Sequence, residues 1–139
     1  MRTVFLVFGL FVIICSCEVQ GDLTSNTIAP APVSPISILK SQGDFVPTSG
    51  ISVAGGVKIY FEANQYKLKL ENFSISDGPD LKVYLSKTST PTEFVNLGNL
   101  NPAMIYSIPE SVIISDYKYV LINCQQYNHL FAVASLIQN

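Results

Sequence analysis

From Ile36 onward, apolar residues recur at every second position, and no window carries a helical stripe of useful length. That period suits strands with one wet and one buried face, and it leaves no material for a helical core. Val57, Ile59 and Phe61 alternate with Lys58, Tyr60 and Glu62; past Ala63 and Asn64, Tyr66, Leu68 and Leu70 alternate with Lys67, Lys69 and Glu71. The two runs predict a hairpin. Its parity then slips, from the even positions of Leu68 and Leu70 to the odd positions of Phe73 and Ile75. A one-residue slip would turn every later side chain to the wrong face, so a bulge is expected near Glu71 and Asn72. Asp77-Gly78-Pro79-Asp80 predicts a turn held by aspartate side-chain-to-backbone bonds, after which Leu81, Val83 and Leu85 begin another strand. Short strands are expected around Phe94 to Leu97 and Met104 to Ile108, with one helical turn from Pro109 to Val112. The run from Tyr117 to Cys124 is apolar on both faces, which predicts a central, covered strand; a last run goes from Leu130 to Ile137. The expected fold is all-β, an antiparallel β-sandwich or partly closed barrel of about seven to nine short strands.

The N-terminus has a different logic. Met1-Arg2-Thr3 is a short positive start, Val4 to Ile14 is unbroken and apolar, and Cys15-Ser16-Cys17 follows. This is secretory-signal architecture, too short for a transmembrane helix. Ile14-Cys15-Ser16-Cys17 resembles a lipobox, in which Cys17 would take a lipid and become the new N-terminus; cleavage after Cys17 with plain secretion is the alternative. Residues 18–35 are rich in Ser, Thr, Ala and Pro, with prolines at 30, 32 and 35, and predict an extended tether. The expected organisation is a signal over 1–17, a tether over 18–35 and a single β domain over 36–139. The protein would then sit in the cell envelope outside the cytoplasm, facing the periplasm or the surface, with the membrane as a partner through its lipid anchor.

Charge narrows the partners. Arg2 is the only arginine, so processing leaves seven lysines against ten acidic residues. A mildly acidic, arginine-free domain lacks the clustered cations that phosphate backbones require, which excludes nucleic acid.

Chemistry has few places to reside. Cys124 would be the lone thiol of the processed chain, at the end of a strand where Gln125 and Gln126 open a loop. One reading makes it a small buried hydrophobe. The other sets its sulfur at the rim, open to oxidation or to a metal or haem. His129, the only histidine, follows five residues later, and a tight turn over Gln125 to Asn128 would bring it toward the sulfur. Zinc normally needs at least three protein ligands, so Cys124 and His129 would have to recruit Asp77 or Asp80; no metal centre is expected. Tyr127 flanks His129 and completes a candidate binding loop. No phosphate-cradling glycine loop, Gly-x-Ser-x-Gly, His-Glu-x-x-His or Cys-x-x-Cys is present, so hydrolytic or transferase activity is not expected.

The segments Asn72 to Ser86, Phe94 to Gly98, Tyr106 to Pro109 and Tyr119 to Ala134 resemble the DM-thirteen domain. This is a small all-β extracellular module, found beside DOMON and cytochrome-b-type modules in animal surface proteins. The resemblance runs from about Gly43 to Leu136, and its most specific parts are the Asp-Gly-Pro-Asp-Leu block and the late cysteine before an aromatic loop. It implies a part in electron transfer, with Cys124 as a bare thiol or as the ligand of a prosthetic group such as haem. Asn123 stands where family members often carry a bulky aromatic residue. Two functions follow as expectations. The first is an exported, lipid-anchored redox module with a redox or envelope protein partner; the second is a non-enzymatic binding module for an envelope protein or a glycan.

Overall fold

A computed structural model describes residues 36–139; the leader, Cys15, Cys17 and the tether lie outside the described residues. Nine strands form one antiparallel sheet that curls into a nearly closed barrel: β1 (Ile38–Pro47), β2 (Val53–Glu62), β3 (Gln65–Ile75), β4 (Leu81–Ser86), β5 (Phe94–Asn99), β6 (Ile105–Ser107), β7 (Tyr119–Cys124), β8 (His129–Ser135) and β9 (Ile137–Gln138). Their order is β5-β4-β7-β8-β1-β2-β3-β6, with β9 paired to β1. The first half of β1 pairs with β2 and β9, and its last three residues pair with β8. One strand thereby joins the two halves of the barrel. Among the described residues no helix is long and apolar enough to cross a membrane.

The β2–β3 hairpin closes through Ala63 and Asn64, both at positive φ, as a two-residue turn whose twist matches the strands. The expected bulge is present. Ala54 pairs with Ser74 but Gly56 pairs with Glu71, so β3 carries one extra residue there, and Asn72 takes a φ of 47°. The bulge restores Leu68, Leu70, Phe73 and Ile75 to one side, where they join the core with Val57, Ile59, Val83, Leu85, Val120 and Ile122. β7 lies between β4 and β8, and Val120 to Cys124 are buried on both faces, as the doubly apolar run required.

Two local expectations change. The residues from Pro109 to Val112 form a hydrogen-bonded turn, Val112 N to Pro109 O at 3.0 Å, and the single 3-10 turn falls later, at Ile114–Asp116. The last apolar run is cut at Leu136, whose N–H donates to Lys118 O at 2.8 Å, so β8 ends and β9 starts on a different neighbour.

β5 and β6 end the strand path, and the seam between them is stitched by a side chain. The Tyr106 hydroxyl, on β6, donates to Asn99 O of β5 at 2.7 Å and accepts from Asn101 N at 2.7 Å. Burial raises the Tyr106 pKa above the ordinary 10.0, against the smaller lowering effect of the Asn101 hydrogen bond. A folded-state value above the unfolded one means the folded form holds its proton longer, so this contribution is whole below about pH 10 and is lost as pH rises past it. Tyr106→Phe should cost roughly 1–3 kcal/mol at neutral pH, from two lost hydrogen bonds and a stranded N–H. Thermal melts across pH 8 to about 11 should show a shallower alkaline decline in the variant than in the parent. Parallel curves would show that Tyr106 does not titrate with unfolding.

Candidate functional site

Cys124 closes β7 at one end of the barrel, with Leu81 of β4 opposite on one side and His129 of β8 opposite on the other. Alternation aims its side chain with Val120 and Ile122 into the core, and the residue is 1 % exposed. Of the two readings of this cysteine, the structure shows the buried one. The thiol lies inside the core cluster, and segments distant in sequence gather around the strand end that carries it, here called the roof.

The roof has two parts. Residues Asp77 to Asp80 fold over the end of β4, tied to the β7–β8 turn by Gln125 N donating to Asp80 O at 2.9 Å. Phe131 is the extra residue of a bulge in β8, where Ile122 pairs with Ala132 but Asn123 pairs with Leu130. Its ring belongs to the same core as Cys124. Gly78 is in close contact with this ring: a Cβ there would stand 2.7 Å from Leu81 Cδ2 and 3.0 Å from Phe131 Cζ. Thr48 fixes the backbone beneath, its N–H donating to Phe131 O at 2.9 Å and its hydroxyl to Leu130 O at 2.6 Å. Two of the stretches that carry the DM-thirteen resemblance thus meet beside the end of β7 that carries the one described cysteine.

The other candidates gather at the same end without converging on the sulfur. Gln125 to Asn128 do form a tight turn, with Asn128 at a φ of 48°, and His129 faces Cys124 across the ladder. The His129 ring is exposed and meets Phe131 edge-on at 5.4 Å. Tyr127 stands at the turn, 68 % exposed. Asp80 is engaged by Lys82 Nζ at 2.8 Å, and Asp77 is exposed. Neither aspartate carboxylate is hydrogen-bonded to backbone among the described residues. Ser76 ties this segment down instead: its hydroxyl accepts from Ser52 N at 2.9 Å.

No three His, Cys, Asp or Glu side chains approach closely enough to share a metal ion among the described residues. Three clefts are lined by other parts of the barrel, around Gly56, around Ile108 and around Ser74. A haem does not fit at Cys124 as folded, because the residue is buried among core side chains.

Asn123 carries a signal that alternation alone could not supply. It is 2 % exposed, points away from the core, and its Oδ1 has no hydrogen-bond partner. Buried unpaired carbonyl oxygens are rare, so this one marks the outer side of β7 for attention.

Gly78 gives a direct handle on the roof. In Gly78→Ala the new Cβ presses on Leu81 Cδ2 and Cγ and on Phe131 Cζ, side-chain atoms in each case, so the barrel should persist while the cover loosens. If the substitution favours the open roof by about 1.4 kcal/mol, alkylation of Cys124 should accelerate roughly tenfold. Timed alkylation read by mass spectrometry checks this; equal rates would show that the roof does not gate the sulfur.

The arrangement agrees with comparison to known proteins. The profile of the family described as Electron transfer DM13 matches residues 45–136, from the end of β1 through Leu136. Neither the curated proteins nor the solved structures gave a match. With the matched region covering both the roof and the thiol beneath it, the chain belongs to this electron-transfer family.

Proposed function

We propose that the protein is an exported, lipid-anchored redox module in which Cys124 is the working group, held in reserve under a movable roof. The observation that supports this reading is the meeting of the Asp77–Leu81 and Asn123–Ala134 segments over the single described thiol. Family membership makes the domain an electron-transfer type of module, and Cys124 is its one described cysteine.

Burial then decides the chemistry. A sealed sulfur cannot meet a protein disulfide or a planar prosthetic group, whereas a small oxidant needs only brief opening at the Gly78–Phe131 contact. With a hydroperoxide, the thiolate sulfur attacks one peroxide oxygen; the S–O bond forms, the O–O bond breaks and hydroxide leaves. The resulting sulfenic acid is reversible by thiols, through a mixed disulfide and release of water. Burial also slows further oxidation by limiting access.

The redox reading is tested by exposing the native protein to hydrogen peroxide and trapping sulfenic acid with a dimedone probe. Label should appear at Cys124 alone, faster in Gly78→Ala, and be absent in Cys124→Ser. A sulfur that reacts no faster than the whole domain unfolds would remove the reading and leave the thiol as core filler.

The anchor is tested separately. The apolar run ending in Cys15-Ser16-Cys17 supports lipid attachment at Cys17, and several acyl chains would hold the domain stably, at about 0.8 kcal/mol per buried methylene. Cys17→Ala should move the protein from the membrane pellet to the soluble fraction in cell fractionation, with loss of incorporated fatty acid. Retention in the pellet without fatty acid would point to another attachment.

A further inference from the structure

We infer that Asn72 is an N-glycosylation site, its side-chain amide taking an oligosaccharide as the exported chain folds. Asn72-Phe73-Ser74 is the only place in the sequence where an asparagine has Ser or Thr two residues on. That spacing, with any residue but proline between, is the acceptor pattern for N-linked sugar. The pattern is short enough to arise by chance, so its place in the fold decides.

The fold leaves both polar members free. β3 carries its extra residue between Glu71, opposite Gly56, and Ser74, opposite Ala54. Asn72 stands in that bulge at a φ of 47° and is exposed. Phe73 joins the core, its ring edge-on to Phe45 at 5.1 Å, and Ser74 is exposed again. Asn72 lines a cleft of about 410 Å³, and Ser74 lines another. Among the described residues neither the Asn72 amide nor the Ser74 hydroxyl takes part in a side-chain hydrogen bond. Gly55, opposite the bulge, lies so close that a Cβ there would run into the Glu71 and Asn72 carbonyl oxygens. The bulge is thereby fixed, and with it the open position of Asn72. A bulge at positive φ favours asparagine by itself, but it makes no demand on position 74.

An attached glycan has room and a use. β2 occupies one side of β3; on the other, β6 pairs only with Lys67 to Lys69. Leu70 to Ile75 therefore present an open strand edge, and an open edge invites pairing with another chain. A bulky, solvated group on Asn72 blocks that approach without touching the core.

The transfer balances. The Asn72 amide nitrogen attacks the anomeric carbon of an oligosaccharide carried on a lipid diphosphate. The N–C bond forms, the C–O bond breaks, the lipid diphosphate leaves and one amide proton passes to a base of the transferase. Such transferases work on the far side of an export membrane. The inference therefore rests on the export reading, and on neither lipid at Cys17 nor chemistry at Cys124.

The test takes the full chain, made with its own leader, from the cells that produce it. Digestion with a peptide-N-glycosidase in heavy-oxygen water should lower the mass by one glycan and convert Asn72 to an aspartate carrying the heavy oxygen. Ser74→Ala, which leaves the bulge residue in place, should abolish the glycan, and Ser74→Thr should keep it. A bare Asn72 in chain recovered outside the cytoplasm overturns the inference and leaves export standing. A bare chain in the cytosol with its leader intact overturns both. A glycan that survives Ser74→Ala, or that resists the glycosidase, also overturns the assignment to Asn72.

Discussion

The barrel depends on one close approach of backbones. At Gly43, in the middle of β1, a Cβ would lie against the Ser135 carbonyl oxygen and the Ser135 carbonyl carbon, with no flexible side chain able to give way. Only glycine lets β8 end and β9 begin around this point. Up to Asp44 β1 pairs with β2, and with β9 at Ser41 and Gln42; from Phe45 it pairs with β8. Without that crossing there would be two separate sheets, and the thiol on β7 would have no continuous core behind it. The bulges serve the same curvature. Extra residues in β1, β3, β5 and β8 each shift the register once, and each adds local twist to a sheet that must nearly close.

Where the sequence was informative, local alternation and tertiary packing agreed. The β2–β3 hairpin was legible because one face is wet and the other buried for its whole length, and the bulge at Asn72 because the parity slip had no other economical reading. β7 was legible because both of its faces are covered. β1 was not. Its apolar residues are interrupted by Lys40, Ser41, Gln42 and Asp44, since its two halves serve different neighbours and Lys40 is the bulge residue. Ser41 is buried inside that strand with an unpartnered hydroxyl, a position no alternation rule would assign to the core.

The place of Cys124 along the fold was legible, and its depth was not. Cys124 was correctly placed at a strand end beside a polar turn, and that placement by itself argues for exposure. The roof that buries it comes from the Asp77–Asp80 segment, about forty-five residues upstream, and from a bulge that turns Phe131 over the barrel end. Neither contact has a short-range signature. The aspartates drew attention as possible ligands or turn-formers, yet Lys82 engages Asp80 and Ser76 does the tying. What Gly78 contributes is the lack of a side chain where Leu81 and Phe131 close in.

A sealed sulfur in an electron-transfer family looks like a contradiction only if electrons and reagents are assumed to need the same access. Reagents need space, and at Cys124 space must be opened. The structure separates the two needs by building the cover from elements with unequal support. Phe131 is anchored through its own carbonyl by Thr48 and cannot leave without breaking the β1–β8 end. The Asp77–Asp80 segment is held by Gln125 at one end and Ser76 at the other, and Gly78 sits at the contact between them. Segments with few buried contacts open at lower free energy than the strands around them. Opening should therefore begin at the Gly78 side, with the β4–β7–β8 ladder intact beneath. On the proposed redox reading, the barrel would act less as a container for a cofactor than as a filter, admitting reactants small enough to pass beside the Phe131 ring.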